Sequence, residues 1–205
     1  MSEFKNIKVG LINLRLNNMF SIYQAFKEIG TKTEIIDDKV KKYNFDILVL
    51  PGDGAFKQAM KTINKNNIKN KILEFLSKKN TKLIGICLGM QLLFDKSYEY
   101  GCTKGLSLIQ GEVKKLNYKN QIVPNIGWRK IKDKKSNLIK KKNFFYFIHS
   151  FYCDPLVKNE ILATSLHGKF KFCAAVKKKN IIGTQFHPEK SGEDGIKLLG
   201  DICKL

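Results

Sequence analysis

The chain has 205 residues, 43% of them hydrophobic and 27% charged, and its 38 basic against 18 acidic side chains give a formal charge of +20. That length supports one large domain with a substantial core, and no apolar run approaches the roughly 18 residues of a membrane span. Five scattered cysteines without a Cys-x-x-Cys pair argue against a disulfide framework or a zinc site.

The basic excess invites a nucleic-acid reading. It consists almost wholly of lysine spread along the chain, with only Arg15 and Arg129 offering a planar fork, and no nucleic-acid motif accompanies it. Neither nucleic acid nor membrane is expected as a partner. The opening Met1–Asn6 passes straight into a strand-like run without a secretory apolar region, so a cytoplasmic location is expected.

The first half alternates strand and helix. Ile7–Ile12 reads as a strand, and Met19, Ile22, Tyr23, Phe26 and Ile29 recur at helical spacing up to Gly30. Thr33–Ile36 and Asp46–Leu50 read as strands, the second stopped by Pro51-Gly52. A Lys- and Asn-rich helical region then runs to about Lys79. Thr81–Ile86 reads as a buried strand and Gly89–Phe94 as the start of an apolar-faced helix. After Gly105 the pattern changes to short β runs at 111–116, 144–148, 160–164, 172–176 and 181–186, closed by a helix over 192–205. Such an order predicts a single domain over residues 1–205. Its fold class is α/β, a doubly wound, mostly parallel sheet with helices on both faces plus an antiparallel β extension.

The chemistry concentrates at Gly85-Ile86-Cys87-Leu88-Gly89. A cysteine there sits on a strand-to-helix corner, flanked by glycines that let the two elements approach closely. The helix N-terminus favours thiolate over thiol, so Cys87 is the candidate nucleophile. Gln185-Phe186-His187-Pro188-Glu189 supplies the candidate base. With an extended backbone, His187 and Glu189 lie on one side, so Glu189 can hold one imidazole nitrogen while the other faces Cys87. His149, in an aromatic run, reads as a packed or positioning residue, and His167 precedes a turn at Gly168. The loop Leu50–Phe56 follows a central strand. A backbone N–H at Asp53, paired with that of Leu88, would form an oxyanion hole.

Together these elements resemble the triad (class I) glutamine amidotransferases. Over almost the whole chain they are similar to one branch, the glutaminase subunits of imidazole glycerol phosphate synthases. The resemblance is carried by Leu50–Phe56, Gly85–Phe94, Lys104–Ile109, Pro124–Trp128, Tyr146–Tyr152 and Gly183–Ser191. It implies that Cys87 attacks the side-chain amide of glutamine, His187 moves the proton and Glu189 orients His187. It further implies that Gly52, Gly54, Gln91, Ser150 and Phe151 hold glutamine, with no cofactor and no metal. Ammonia would pass to a separate (β/α)₈-barrel synthase subunit in a heterodimer, with Trp128 near the passage and Asn17 and Asn18 on the partner-facing loop. The barrel makes imidazole glycerol phosphate and an aminoimidazole carboxamide ribotide for histidine biosynthesis. All 205 residues are taken up by the glutaminase, which also implies a separate ammonia acceptor.

Several positions depart from the family. Its glycine-containing first loop is here Asn13-Leu14-Arg15-Leu16-Asn17-Asn18, where Arg15 suits a positive φ poorly. Asp53 stands where an apolar residue is usual, and a carboxylate close to Cys87 would disfavour thiolate and oxyanion. Asn125 replaces a usual histidine, and Arg129 a common asparagine. These changes admit an alternative, a paralogous subunit supplying ammonia for amidino-sugar and surface-polysaccharide synthesis.

Overall fold

The computed structural model describes residues 3–15, 19–37, 40–117, 122–133, 138 and 144–205. In chain order the elements are β1 (Lys8–Ile12), α1 (Met19–Ile29), β2 (Lys32–Ile36), β3 (Ile47–Leu50), α2 (Phe56–Lys65), α3 (Ile68–Leu76), β4 (Lys82–Ile86) and α4 (Leu88–Leu92). Then follow β5 (Lys96–Ser97), β6 (Thr103–Lys104), β7 (Gly111–Lys115), β8 (Asn125–Asp133), β9 (Phe144–His149), β10 (Phe151–Pro155), β11 (Ile161–His167), β12 (Phe170–Lys178), β13 (Ile181–Thr184) and α5 (Gly192–Lys204).

Nine strands form one sheet in the order β2-β1-β3-β4-β13-β12-β11-β8-β9. The first five are parallel to their neighbours, and the pairings from β13 through β12, β11 and β8 to β9 are antiparallel. A second sheet, β10-β7-β5-β6, packs beside it. The parallel strands carry near-continuous apolar runs because both faces are covered. Alternate residues feed two cores. Leu48 and Leu50 join Phe56, Met60, Ile63, Ile72 and Phe75 of α2 and α3. Ile47 and Val49 join Ile22 and Phe26 of α1 and Leu199 and Ile202 of α5.

Two expectations need correction. The Lys- and Asn-rich helical region is two helices, divided where Asn67 adopts a left-handed φ of 53° and begins α3. Asparagine tolerates that conformation better than most residues, and the Asn66-Asn67 pair is the break signal. Strands β8 and β10 also went unread, because Gly127, Arg129 and the lysines interrupt the alternation in β8. Arg15 does take a positive φ, 57°, with its N–H donating to the Asn13 Oδ1 at 2.8 Å. The remainder of that loop, including Asn17 and Asn18, lies outside the described residues.

Strands β4 and β13 place the site. They are parallel neighbours, yet α4 packs into the core with α2 and α3, while α5 packs into the core with α1. Neighbouring strands whose following helices diverge open a crevice at their carboxyl ends. Cys87 leaves β4 and His187 leaves β13 at that crevice.

Candidate active site

Cys87 is the hinge between β4 and α4. Its φ of 50° and ψ of −105° are strained for a residue with a side chain. The turn is held by its N–H donating to the Thr184 carbonyl at 2.7 Å and by its carbonyl accepting from the Gln91 N–H at 3.1 Å. The flanking glycines are required sterically. A Cβ at Gly85 would stand 2.6 Å from the Gly89 carbonyl oxygen, and one at Gly89 would collide with the Leu50 carbonyl. The helix therefore starts tight against the sheet, and the side chain of Cys87 is left 6% exposed at its top.

His187 is 2% exposed, and its backbone is extended, with φ −100° and ψ 96°. The extension ends there, because Pro188–Lys190 forms a 3₁₀ turn instead of the expected strand-like run. Glu189 is nevertheless brought under the ring, with Oε1 2.7 Å from Nδ1. With Nδ1 taken by Glu189, the ring also hydrogen-bonds the Cys87 side chain. Burial alone pushes His187 down, but the Cys87 sulfur and the Glu189 carboxylate outweigh it and hold the imidazole up at about 10. Backbone anchors fix the segment. The His187 N–H donates to the Tyr146 carbonyl at 2.9 Å, and Ser191 Oγ donates to the His187 carbonyl at 2.6 Å.

A cleft of 260 Å³ opens over Cys87. Gly52, Asp53, Gly54, Leu88, Gln91, Ser150 and Phe151 all line it, so the residues singled out for oxyanion and substrate roles converge. Asp53 is exposed, and its charge is open to water rather than buried beside the sulfur. Trp128 stands apart on the outer face of β8, half exposed and edge-on to Tyr146 at 6.1 Å. A larger cavity of 420 Å³, between Lys130, Thr164 and Lys171, brings neither cysteine nor histidine and is remote from this chemistry.

Four residues at the site escaped the sequence reading, one of them Ile148, whose carbonyl accepts from Cys87 Sγ at 3.8 Å. Glu99 lines the cleft while its Oε2 accepts the Phe56 N–H at the start of α2, 2.7 Å away. Nothing in its local sequence marks it. Gln185 is fully buried, donates through Nε2 to Cys87 Sγ at 3.7 Å, and accepts from Gln91 Nε2 at 3.3 Å. Pro124 closes one wall. His149, read as packed or positioning, is both. It lies in the wall, with Nδ1 2.8 Å from the Phe151 carbonyl and Nε2 2.9 Å from Asn125 Nδ2. Burial holds it down at about 3, so the ring is neutral.

A cysteine at a strand–helix elbow, a histidine supported by a carboxylate and a cleft walled by glycines and amides thus meet at one crevice. The sequence matches the family Glutamine amidotransferase class-I over residues 11–202, and the chain belongs to that family. Within it, the chain is 37% identical to the imidazole glycerol phosphate synthase subunit HisH of Wolinella succinogenes, covering 96% of this chain and 99% of that protein. It is 38% identical to the subunit of the same name from Caldanaerobacter subterraneus, over 96% and 98% of the two chains. Among solved structures, PurLQS from Thermotoga maritima superposes with a TM-score of 0.76 at 17% identity, covering 97% of this chain and 98% of that one. A crystal structure of glutamine amidotransferase gives 0.74 at 17% identity, over 96% and 99%. These two likenesses bear on the fold.

Proposed function

We propose that this chain is the glutaminase subunit of an imidazole glycerol phosphate synthase, acting through Cys87, His187 and Glu189. The thiolate of Cys87 attacks the side-chain carbonyl carbon of glutamine, and the oxyanion is met by backbone N–H groups at Leu88 and Asp53. His187 gives its proton to the leaving nitrogen, the C–N bond breaks, and ammonia departs from a glutamyl thioester. Water then attacks, its proton passes to His187, the C–S bond breaks, and glutamate leaves with the thiolate restored.

The carrying observation is the 2.7 Å His187–Glu189 contact beside an elbow cysteine in a glycine- and amide-walled cleft. Glu99 adds a carboxylate on the wall suited to the α-ammonium group of an amino acid, and Gln91 and the Ser150-Phe151 backbone offer polar groups for the rest. The names of the relatives support histidine biosynthesis over the amidino-sugar alternative.

A separate synthase subunit is supported by the outer face of β8 and β9. Ile126 pairs with Ile148 and Trp128 with Tyr146, and Phe144 extends the row. Ile126, Trp128, Phe144 and Ile148 are exposed, and Ile148 also lines the cleft, so this apolar stripe runs to the site's edge. Docking there would close the cleft against water and receive ammonia before it is protonated.

The test is covalent labelling of the full chain by a diazoketone analogue of glutamine. A single adduct at Cys87, suppressed by glutamine, is expected. No adduct there, with or without the synthase subunit, would overturn the reading.

A further inference from the structure

Gln185 stands two residues before His187, and its side chain is fully buried beside Cys87. An amide is costly in an apolar interior unless its two ends find partners. Here Nε2 donates to Cys87 Sγ at 3.7 Å, and Oε1 accepts from Gln91 Nε2 at 3.3 Å. Main-chain bonds hold the two sides at this separation. The Cys87 N–H donates to the Thr184 carbonyl at 2.7 Å, and the Gln185 N–H to the Ala174 carbonyl at 2.8 Å.

The end of Gln185 that meets the sulfur is set by its neighbours. A backbone carbonyl accepts and never donates, so the Phe151 carbonyl, 3.1 Å from Gln91 Nε2, must face the nitrogen of that amide. The second proton on the same nitrogen points to Gln185 and needs an oxygen there. Turning Gln185 over would set two N–H donors against each other in a buried site. Its nitrogen is therefore left for Cys87, as a donor.

Three polar groups surround the sulfur. The Ile148 carbonyl, 3.8 Å away, can only accept, and so favours the thiol. The His187 ring and the Gln185 amide supply N–H groups, which favour the thiolate. We infer that Gln185 is a catalytic residue in contact with the nucleophile: its N–H, aimed by the Phe151 carbonyl through Gln91, holds the Cys87 sulfur as a thiolate against the Ile148 carbonyl. The same N–H receives the sulfur again when the C–S bond of the thioester breaks. This role rests on the glutaminase reading. Besides His187, the titratable groups around Cys87 are His149, Asp53 and Glu99 on the cleft wall and Cys153 on β10. Burial keeps His149 and Cys153 neutral, the first by holding it down at about 3 and the second by pushing its thiol up.

The experiment compares the full chain with Gln185→Met, which keeps an unbranched side chain of similar length and removes the N–H. Labelling of the Cys87 peptide by iodoacetamide is followed by mass, because that reagent has no amino-acid head and makes no use of the Gln91 wall. At pH 7 the rate is expected to fall about tenfold, the size of one lost hydrogen bond to a charged group. The deficit should narrow between about pH 7 and pH 9.5, across the ordinary thiol range, as base supplies the thiolate that the amide no longer holds. Ultraviolet thiolate absorbance at pH 7, taken as the difference from Cys87→Ala in the same background, should fall in parallel.

Gln91→Met supplies an independent check, since it leaves Gln185 in place and frees it to turn either end to the sulfur. A smaller loss of iodoacetamide labelling, about two- to threefold, is expected there. Unchanged labelling and absorbance in Gln185→Met would overturn the inference. A deficit equal at every pH would do so too, because it would mean a displaced sulfur instead of a lost thiolate. Should Gln185→Met fail to fold, an unaltered pH profile in Gln91→Met would overturn the inference by itself. If the unsubstituted chain takes no diazoketone label, the glutaminase reading fails, while the iodoacetamide profile still decides what Gln185 does to the sulfur.

Discussion

The Nδ1 of His187 and the Oε1 of Glu189 are 2.7 Å apart, joined across a 3₁₀ turn that Pro188 begins. Replacing the anion by an amide in Glu189→Gln keeps the shape and removes the charge that supports an imidazolium. Glutaminase turnover with the synthase subunit is expected to fall at least about 10²-fold, with KM for glutamine little changed. The Cys87 sulfur first, and this carboxylate after it, set a pH window against the opposing effect of burial. In the folded chain His187 is raised to about 10, above the roughly 6.5 of an unfolded histidine. Its contribution to stability is whole below about pH 6.5 and is lost as the pH rises through 10. Urea midpoints of the unsubstituted chain should decline across that window, and Glu189→Gln should flatten the decline. Parallel declines would remove Glu189 from the account.

Backbone strain at the elbow gives a second prediction. Alanine is ordinarily the more stabilising of alanine and glycine, but Cys87 has a φ of 50° with a ψ of −105°, where a Cβ is penalised. Both Cys87→Ala and Cys87→Gly abolish labelling and remove the sulfur. Cys87→Gly should nevertheless be the more stable by about 1 kcal/mol, read as a higher urea midpoint. The reverse order would mean that the elbow is relaxed.

The elbow and the base were legible because their chemistry is local. Glycines two residues either side of Cys87, and a carboxylate two residues after His187, are visible without knowing the fold. Helix α1 was legible for a similar reason, its apolar spacing ending at Gly30. The wall around His149 was not, because Asn125 and His149 become neighbours only through the register of β8 with β9. Strand β8 itself is poorly patterned, as its face toward solvent carries Ile126 and Trp128 where polar residues would ordinarily mark it. Glu99 is held at the site by accepting the first N–H of a helix that begins over forty residues earlier in the chain.

Asp53 illustrates where a sequence departure weakens on contact with geometry. A buried carboxylate beside Cys87 would oppose both the thiolate and the oxyanion. The observed side chain is exposed, so water screens most of its field, while the backbone N–H is the group with a proposed role. Asp53→Val should therefore change turnover by less than about fivefold, the scale of an exposed charge interaction, both alone and with the synthase subunit. A rise of 10²-fold in the isolated chain would show that this carboxylate restrains the thiol.

Trp128 tests the docking face. It is 50% exposed, stacks edge-on against Tyr146, and sits in the row with Ile126, Phe144 and Ile148. Large aromatic side chains at the centre of an interface carry a disproportionate share of binding energy, commonly 2 kcal/mol or more. Trp128→Ala should weaken binding to the synthase barrel by about 30-fold or more, measured by calorimetry. The ring is packed on the outside of the sheet, so its removal should leave diazoketone labelling of Cys87 in the isolated chain within about twofold. Such a split would assign Trp128 to the interface and the cleft to chemistry. Unaltered binding would move the interface elsewhere, and an equal loss of labelling would mean that Trp128 supports the site itself, through Tyr146 and the His187 backbone it anchors.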